Sequence, residues 1–229
     1  MYEKGIERPS AADILSALGP FGAAPTAPQI DSIRRYIRVL LIWNEQVGLT
    51  TLIDPEDIIT RHFGESFFAI RFAGLDRGRL ADIGTGGGFP GLAIKIMCPD
   101  LELFLVESNK KKAAFLAEAV RTLAIERTVI IAERFEDWRP EAQCLDFITS
   151  RALGHYPFLM RWAQETLKPA GKLILWLGDD EGTRIQMRPG WRWRVPERIP
   201  LSRHRQVLVG SPEPTALEEA FHVKHSRGI

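Results

Sequence analysis

Asp82-Ile83-Gly84-Thr85-Gly86-Gly87-Gly88-Phe89-Pro90-Gly91 sets five glycines between two apolar runs. Glycine has no Cβ, so it tolerates positive φ and lets main chain approach a ligand closely. Two further groups recur at the ends of later apolar runs: Glu107, twenty-three residues after Gly84, and Arg151 after Ser150. A carboxylate so placed can accept hydrogen bonds from both hydroxyls of a ribose. A guanidinium can hold a carboxylate or a phosphate. Counted from Gly84, the third glycine of a dinucleotide GxGxxG motif falls on Phe89. A P-loop would need Lys after its last glycine, but Gly91 is followed by Leu92. Neither phosphate-binding motif is satisfied.

The elements that must position these groups follow from hydrophobic periodicity. Up to about Gly74 the apolar residues recur at helical spacing: Ile33, Ile37, Leu40, Leu41 and Val47, then Ile58, Ile59 and His62. Before them, Ala11 to Leu18 predicts one short helix among prolines. From Arg79 the period changes. Strands are predicted at Leu80–Ile83, Leu101–Glu107, Thr128–Ala132, Leu145–Ser150 and Lys172–Leu177, with later ones near Arg192–Ile199 and Gln206–Val209. Helices are predicted at Leu92–Cys98, at Lys110–Ala124 capped by Ser108, and at Tyr156–Leu167 ended by Pro169-Ala170-Gly171.

Strand and helix alternation predicts an α/β fold: a Rossmann-like, mainly parallel seven-stranded sheet with helices on both faces and an N-terminal helical extension. The expected division is a helical segment over 1–75 packed on a core domain over 76–229. Right-handed crossovers then bring the glycine loop, Glu107, Glu133–Glu136 and Ser150–Arg151 to one sheet edge.

Composition narrows the classes. With 229 residues, 45% hydrophobic and 26% charged, the chain can bury a substantial core. No apolar run of membrane-spanning length and no export signal is apparent, so the cytoplasm is the expected compartment. Cys98 and Cys144 stand alone, which argues against a disulfide framework and a metal site. The net charge is only +1, but from Arg184 onward nine Lys/Arg face four Glu. With Arg34-Arg35-Arg38 and Lys110–Lys112, these clusters favour a phosphate-bearing substrate over a merely solvated face. Trp191-Arg192-Trp193-Arg194 alternates at strand period, indoles on one face and guanidiniums on the other. The indoles are expected in the core, and the arginines are candidate RNA contacts. His62 is expected to be packed or hydrogen-bonded, with Trp43 and Asn44 pinning the helical segment to the sheet.

An acid leading a glycine loop, Asp82-x-Gly84-x-Gly86, with Glu107 after the next strand, resembles the class I S-adenosylmethionine (SAM) methyltransferases. The finer wording is more specific. The Asp82–Gly91 loop, Val106-Glu107-Ser108-Asn109-Lys110-Lys111-Lys112 with Phe115-Leu116, and Ser150-Arg151-Ala152 resemble the bacterial 16S rRNA guanine-N7 methyltransferase family, RsmG or GidB. Trp43-Asn44 with Leu49-Thr50, and His62 with Glu65-Ser66, resemble that family's N-terminal segment; Asp is common there at position 65. The resemblance implies SAM as cofactor. It puts contacts on Gly84, Phe89, Phe135, Glu136 and Arg151, with Asp82 and Gly86 in the same loop; Glu107 is added from spacing. Arg151 is also the candidate catalytic residue. The implied partner is 16S rRNA or a precursor of the small ribosomal subunit, with no DNA or membrane partner and a monomeric enzyme.

Guanine N7 is a lone pair with no proton to lose, so the chemistry needs alignment more than a general base. Ser150-Arg151-Ala152-Leu153 stands where amino-group methyltransferases of the class carry an Asn/Asp-Pro-Pro-Tyr-like turn, and Cys144 begins its strand instead of ending it. The alternatives are a SAM methyltransferase acting on another RNA, a protein or a small molecule, and a non-enzymatic RNA-binding protein on this fold.

Overall fold

A computed structural model describes residues 9–214. The basic tail at Phe221-His222-Val223-Lys224-His225, with Arg227 of the C-terminal charge count, lies outside them.

Helix α1 (Ala11–Leu18) is capped by Ser10, whose hydroxyl accepts from Asp13 N while the Asp13 carboxylate accepts from Ser10 N. The long α2 (Ala27–Val47) starts with Pro at its second position and stops at Gly48, which takes φ 64°. Its buried stripe holds Ile33, Ile37, Leu40 and Leu41 as the periodicity predicts, adds Tyr36, and leaves Val47 half-buried near the helix end. Beyond it come α3 (Pro55–Ile58), a π-helical turn (Ile59–Gly64), α4 (Glu65–Phe68) and α5 (Ile70–Ala73). The π turn interrupts what the sequence predicts as continuous helical spacing.

The sheet follows. Strands β1 (Gly78–Ile83), β2 (Leu101–Val106), β3 (Thr128–Ile131), β4 (Leu145–Arg151) and β5 (Leu167–Gly178) are parallel in the order 3-2-1-4-5. Strand β8 (Arg205–Pro212) pairs antiparallel with β5, and β6 (Trp191–Trp193) and β7 (Glu197–Arg198) both pair with β8. The sheet thus has eight strands among the described residues. The seven expected are joined by the two-residue β7, because Pro196 breaks the predicted Arg192–Ile199 run in two. Helices α6 (Gly91–Met97), α7 (Lys110–Leu123), α8 (Tyr156–Thr166) and α9 (Asp179–Gln186) cover its faces.

Two local expectations are corrected, and one helix is new. Asn109, not Ser108, caps α7, accepting from Lys111 N and Lys112 N. Strand β5 begins at Leu167 and runs through Pro169, with an irregular register opposite Leu145 and Phe147 that accommodates the missing donor. Helix α9, polar except for a few residues such as buried Ile185, has no counterpart in the hydrophobic pattern.

Alternation along the strands makes two cores. Leu80, Leu103, Leu105, Phe147 and Ile174 join α1, α2, the α3–α5 region, α6 and α7 on one face. Ala81, Ile83, Ile148, Leu173, Leu175 and Leu208 join residues of α8 and α9 on the other. The N-terminal helices therefore share a core with the underside of the glycine loop. Asn44 turns the chain after α2 by accepting from Leu49 N and Thr50 N at 2.7 and 2.8 Å, while Trp43 packs edge-on against Phe115. That is the physical content of the Trp43-Asn44…Leu49-Thr50 pattern.

Tyr36 is the tightest of these links. Its ring stacks on Phe89 at 5.2 Å, and its hydroxyl donates to Gly87 O. A Cβ at Gly88, which takes φ 82°, would collide with that hydroxyl. Tyr36→Phe leaves a buried carbonyl unpaired, and chemical denaturation should show a loss of about 1–3 kcal/mol. Unchanged stability would mean that the loop does not depend on this bond.

Candidate active site

The glycine loop is folded by a few buried bonds. Parallel register places Thr149 of β4 opposite Asp82 of β1, and Thr149 Oγ1 donates to Asp82 Oδ1 at 2.8 Å. Asp82 Oδ2 accepts from Gly91 N at 2.9 Å, so the carboxylate ties the start of the loop to its end. Asp82 is fully buried, and burial lifts its carboxyl to about 6 against the pull of these donors. On the other flank Glu107 accepts from Gly86 N at 3.0 Å and from Asn109 N at 2.8 Å. Two of the three acids predicted as site residues, Asp82 and Glu107, thus hold the loop's main chain.

The loop and strand ends enclose a cavity of about 150 Å³, open to solvent, lined by Gly84, Glu107, Phe135, Glu136, Leu153 and His155 among others. Four residues predicted from sequence thus meet in one place. Gly84 and Gly86 take φ 68° and 55°; a Cβ on Gly86 would meet nothing nearer than 3.9 Å. The backbone there is shaped for close approach and not for packing. Glu107 keeps lone pairs free for a diol, and the Phe135 ring gives an apolar wall beside Glu136. These residues fit a nucleoside-bearing ligand such as SAM.

Asp82 lies under the loop, away from the cavity wall. The Phe89 ring lies in the core between Tyr36 and His62, with centroids 5.2 and 4.5 Å away. Any contact that Phe89 makes with a cofactor therefore comes from its main chain. Arg151 lines a second, neighbouring cavity of about 250 Å³. There a residue that sequence reasoning assigned no role is central: Glu65, 3% exposed, accepts from Arg205 Nη1 at 3.0 Å and forms an ion pair with Arg205 Nη2 at 2.7 Å. Arg151 Nη2 lies 3.6 Å from the same carboxylate, and Arg151 Nη1 donates to Arg61 O. Burial lifts the Glu65 carboxyl above its ordinary range despite these three arginines, and burial lowers the Arg151 guanidinium. The His62…Glu65-Ser66 wording was the available signal, but its partner Arg205 is 140 residues away in sequence.

His62 is packed, as expected: stacked on Phe89, with Nε2 2.8 Å from Thr50 Oγ1. Burial and then the nearby arginines Arg151, Arg61 and Arg205 push its pKa down to about 3. Such a histidine favours the fold fully above about pH 6.5, and that contribution is lost as pH falls toward 3. Asp82 works in the opposite sense, because its folded-state pKa is raised and its penalty is relieved as pH falls through about 6. The stability gap between His62→Asn and the wild type should therefore move by about 2–3 kcal/mol toward the variant from about pH 7 to about pH 4.5. Urea unfolding at both pH values measures it; parallel changes would contradict it.

Many of the basic residues have partners inside the protein. Arg34 donates to Pro9 O, Arg35 to Thr122 O, and Arg194 to Phe72 O, while Arg198 pairs with Asp179. Trp191 and Trp193 stack on each other at 5.4 Å, Trp191 buried as expected. Lys110 and Lys111 remain exposed at the start of α7, three and four residues after Glu107, and Arg38 and Arg192 are exposed.

The 3-2-1-4-5 parallel sheet with its antiparallel extension, the glycine loop after β1 and the acid after β2 define a class I SAM-dependent methyltransferase. The fold is shared with a SAM-dependent methyltransferase from Aquifex aeolicus (TM-score 0.57, 14% identity, 65% of this chain and 90% of that one). It is shared also with precorrin-6y C5,15-methyltransferase from Geobacter metallireducens (TM-score 0.51, 15% identity, 72% and 91%).

Residues 29–189 match the family GidB, rRNA small subunit methyltransferase G, and the chain belongs to that family. Similar curated proteins include ribosomal RNA small subunit methyltransferase G of Desulfitobacterium hafniense, 38% identical over 64% of this chain. That match spans 62% of the relative's length, less than two thirds. The protein of the same name from Stenotrophomonas maltophilia is 36% identical over 88% of this chain and 92% of its own. No helix among the described residues is long and apolar enough to cross a membrane.

Proposed function

We propose that this protein transfers a methyl group from SAM to N7 of a specific guanine in 16S rRNA of the small ribosomal subunit. The observation that carries the reading is the pairing of two cavities at one sheet edge. One is lined by the glycine loop, Glu107 and Phe135; the other is walled by Arg151 and Arg205. The names of the relatives support rRNA as the acceptor.

Bound SAM supplies an electrophilic methyl on a sulfonium. The protein's task is placement. Gly84 and Gly86 admit the ligand's backbone-facing side, Glu107 takes its ribose hydroxyls, and Phe135 with Glu136 faces its adenine. Asp82 and Tyr36 keep the loop rigid from below. N7 carries no proton, so no residue need remove one, and His62, half-buried and neutral at physiological pH, is no candidate base. Arg151 and Arg205 give the acceptor side cationic donors for an RNA group. Exposed Lys110 and Lys111 add cations past the donor cavity.

The test is mass spectrometry of small-subunit rRNA after incubation with the purified protein and isotopically labelled SAM. Labelled 7-methylguanosine at one position is expected. Label in another base, in ribose or in protein would replace the reading.

A further inference from the structure

The chain after β4 serves both cavities: Leu153 and His155 face the donor side, whereas Arg151, Ala152 and Tyr156 face the second. That second cavity is closed by Gly178 and Glu181 at the start of α9, by buried Ile199 and by Arg205. We infer that Arg205 and Glu181 select guanine as the acceptor base in this cavity. This rests on the guanine-N7 reading above and names the residues that read the base.

Guanine presents its groups in a fixed order around the ring: N7, then the O6 acceptor, then the N1–H and N2–H donors. If N7 faces the donor cavity, O6 comes next to a cationic donor, and the N1–H/N2–H edge needs an acceptor farther on. The second cavity carries both kinds of group on its wall, cationic donors and a carboxylate acceptor. Arg151 adjoins the segment shared with the donor cavity, Arg205 lies beside it, and Glu181 opens α9. Adenine carries an amino donor where guanine has O6, so the same arginines would repel it.

The two arginines are held for this work by Glu65. One of its oxygens accepts from Arg205 Nη1, the other pairs with Arg205 Nη2, and Arg151 lies against the same carboxylate. Glu65 is therefore a positioning residue, unavailable to the base. Ser202 Oγ fixes Arg205 further by accepting from Nε at 3.2 Å, which leaves one N–H on each Nη for a base. Glu181 differs. It makes no ion pair or side-chain hydrogen bond among the described residues, though the neighbouring Asp179 is paired with Arg198. Its field reaches Tyr156 on the cavity wall, where it adds to burial in raising the phenol to about 12. Buried Tyr156 and Ile199 give the flat, apolar surroundings that a splayed-out base needs.

The test compares guanosine with inosine, which lacks only the N2 amino group, at the target position of ligated small-subunit rRNA. Wild-type protein should methylate guanosine about ten- to a hundredfold more efficiently in kcat/KM than inosine. Glu181→Gln should lose about that factor on guanosine, and its guanosine-to-inosine ratio should fall toward one. Arg205→Gln should slow both substrates by about ten- to a hundredfold, O6 being present in each. Calorimetry should show unchanged SAM affinity in both variants, which separates base reading from damage to the donor site or the fold. A guanosine-to-inosine ratio unaltered by Glu181→Gln, or wild-type turnover by Arg205→Gln, overturns the inference while the guanine-N7 reading stands. Wild-type protein that labels neither base at N7 overturns that reading, and this inference with it.

Discussion

Gly84→Asp should remove SAM binding while leaving the protein folded. Gly84 sits on the wall of the donor cavity at φ 68°, and a Cβ there would lie 2.8 Å from Leu153 Cδ1. The first cost is conformational, about 1 kcal/mol, since Asp tolerates the left-handed region better than most residues. The second falls on the ligand. A new carboxylate would enter a cavity already bordered by Glu107 and Glu136, displacing main-chain contact with a charged group that must be desolvated. Together these should weaken SAM by about a hundredfold or more. Calorimetric titration beside a thermal melt is the measurement. A folded variant with wild-type affinity would refute the placement of the methyl donor.

Glu65→Leu should have the largest effect on stability among substitutions at this edge. It removes the carboxylate that Arg205 holds by one hydrogen bond and a 2.7 Å ion pair and that Arg151 approaches at 3.6 Å, leaving two guanidiniums facing each other over an apolar side chain. Breaking a fully buried pair from one side costs about 3–5 kcal/mol. Arg205 is 36% exposed, so water can solvate it partly, and about 2–4 kcal/mol is the expected loss. Glu65→Gln, which keeps the shape and two hydrogen-bonding atoms, should recover part of it. Urea unfolding of the two variants decides: equal and small losses would mean that the buried charge contributes little.

What could be read from the sequence was whatever is local and periodic. Strands β1, β2 and β4 announce themselves as apolar runs, and the glycine loop as a break between a strand and a helix. Strand-end logic then brings Gly84, Glu107, Phe135 and Glu136 together without knowledge of any contact. Spacing does not report which part of a residue faces a ligand, so Phe89 could be placed at the loop but its ring could not be assigned to the core. Helix α9 was illegible because Asp179-Asp180-Glu181-Gly182-Thr183-Arg184 is polar; its first-turn acids and the packing of Ile185 against the sheet support it instead. The Glu65–Arg205 pair was illegible for a different reason. It joins the N-terminal helices to the last long strand, and a single chain offers no pattern that links positions so far apart. Charge counts misled in part: the C-terminal excess of arginine looked like one substrate surface, yet Arg194 and Arg198 have partners within the protein, whereas Arg205 lines the second cavity.

The stack of Tyr36, Phe89 and His62 bears on how such a protein can be divided and recombined. The floor of the donor loop is made of rings from α2 and the π turn, so the nucleoside cavity is not a portable property of the sheet. A chimera that kept this sheet and took its first helices from elsewhere would inherit the glycines without the surface that shapes them. The smallest exchangeable piece is the loop together with the helices beneath it, and sequence drift in either is constrained by the other.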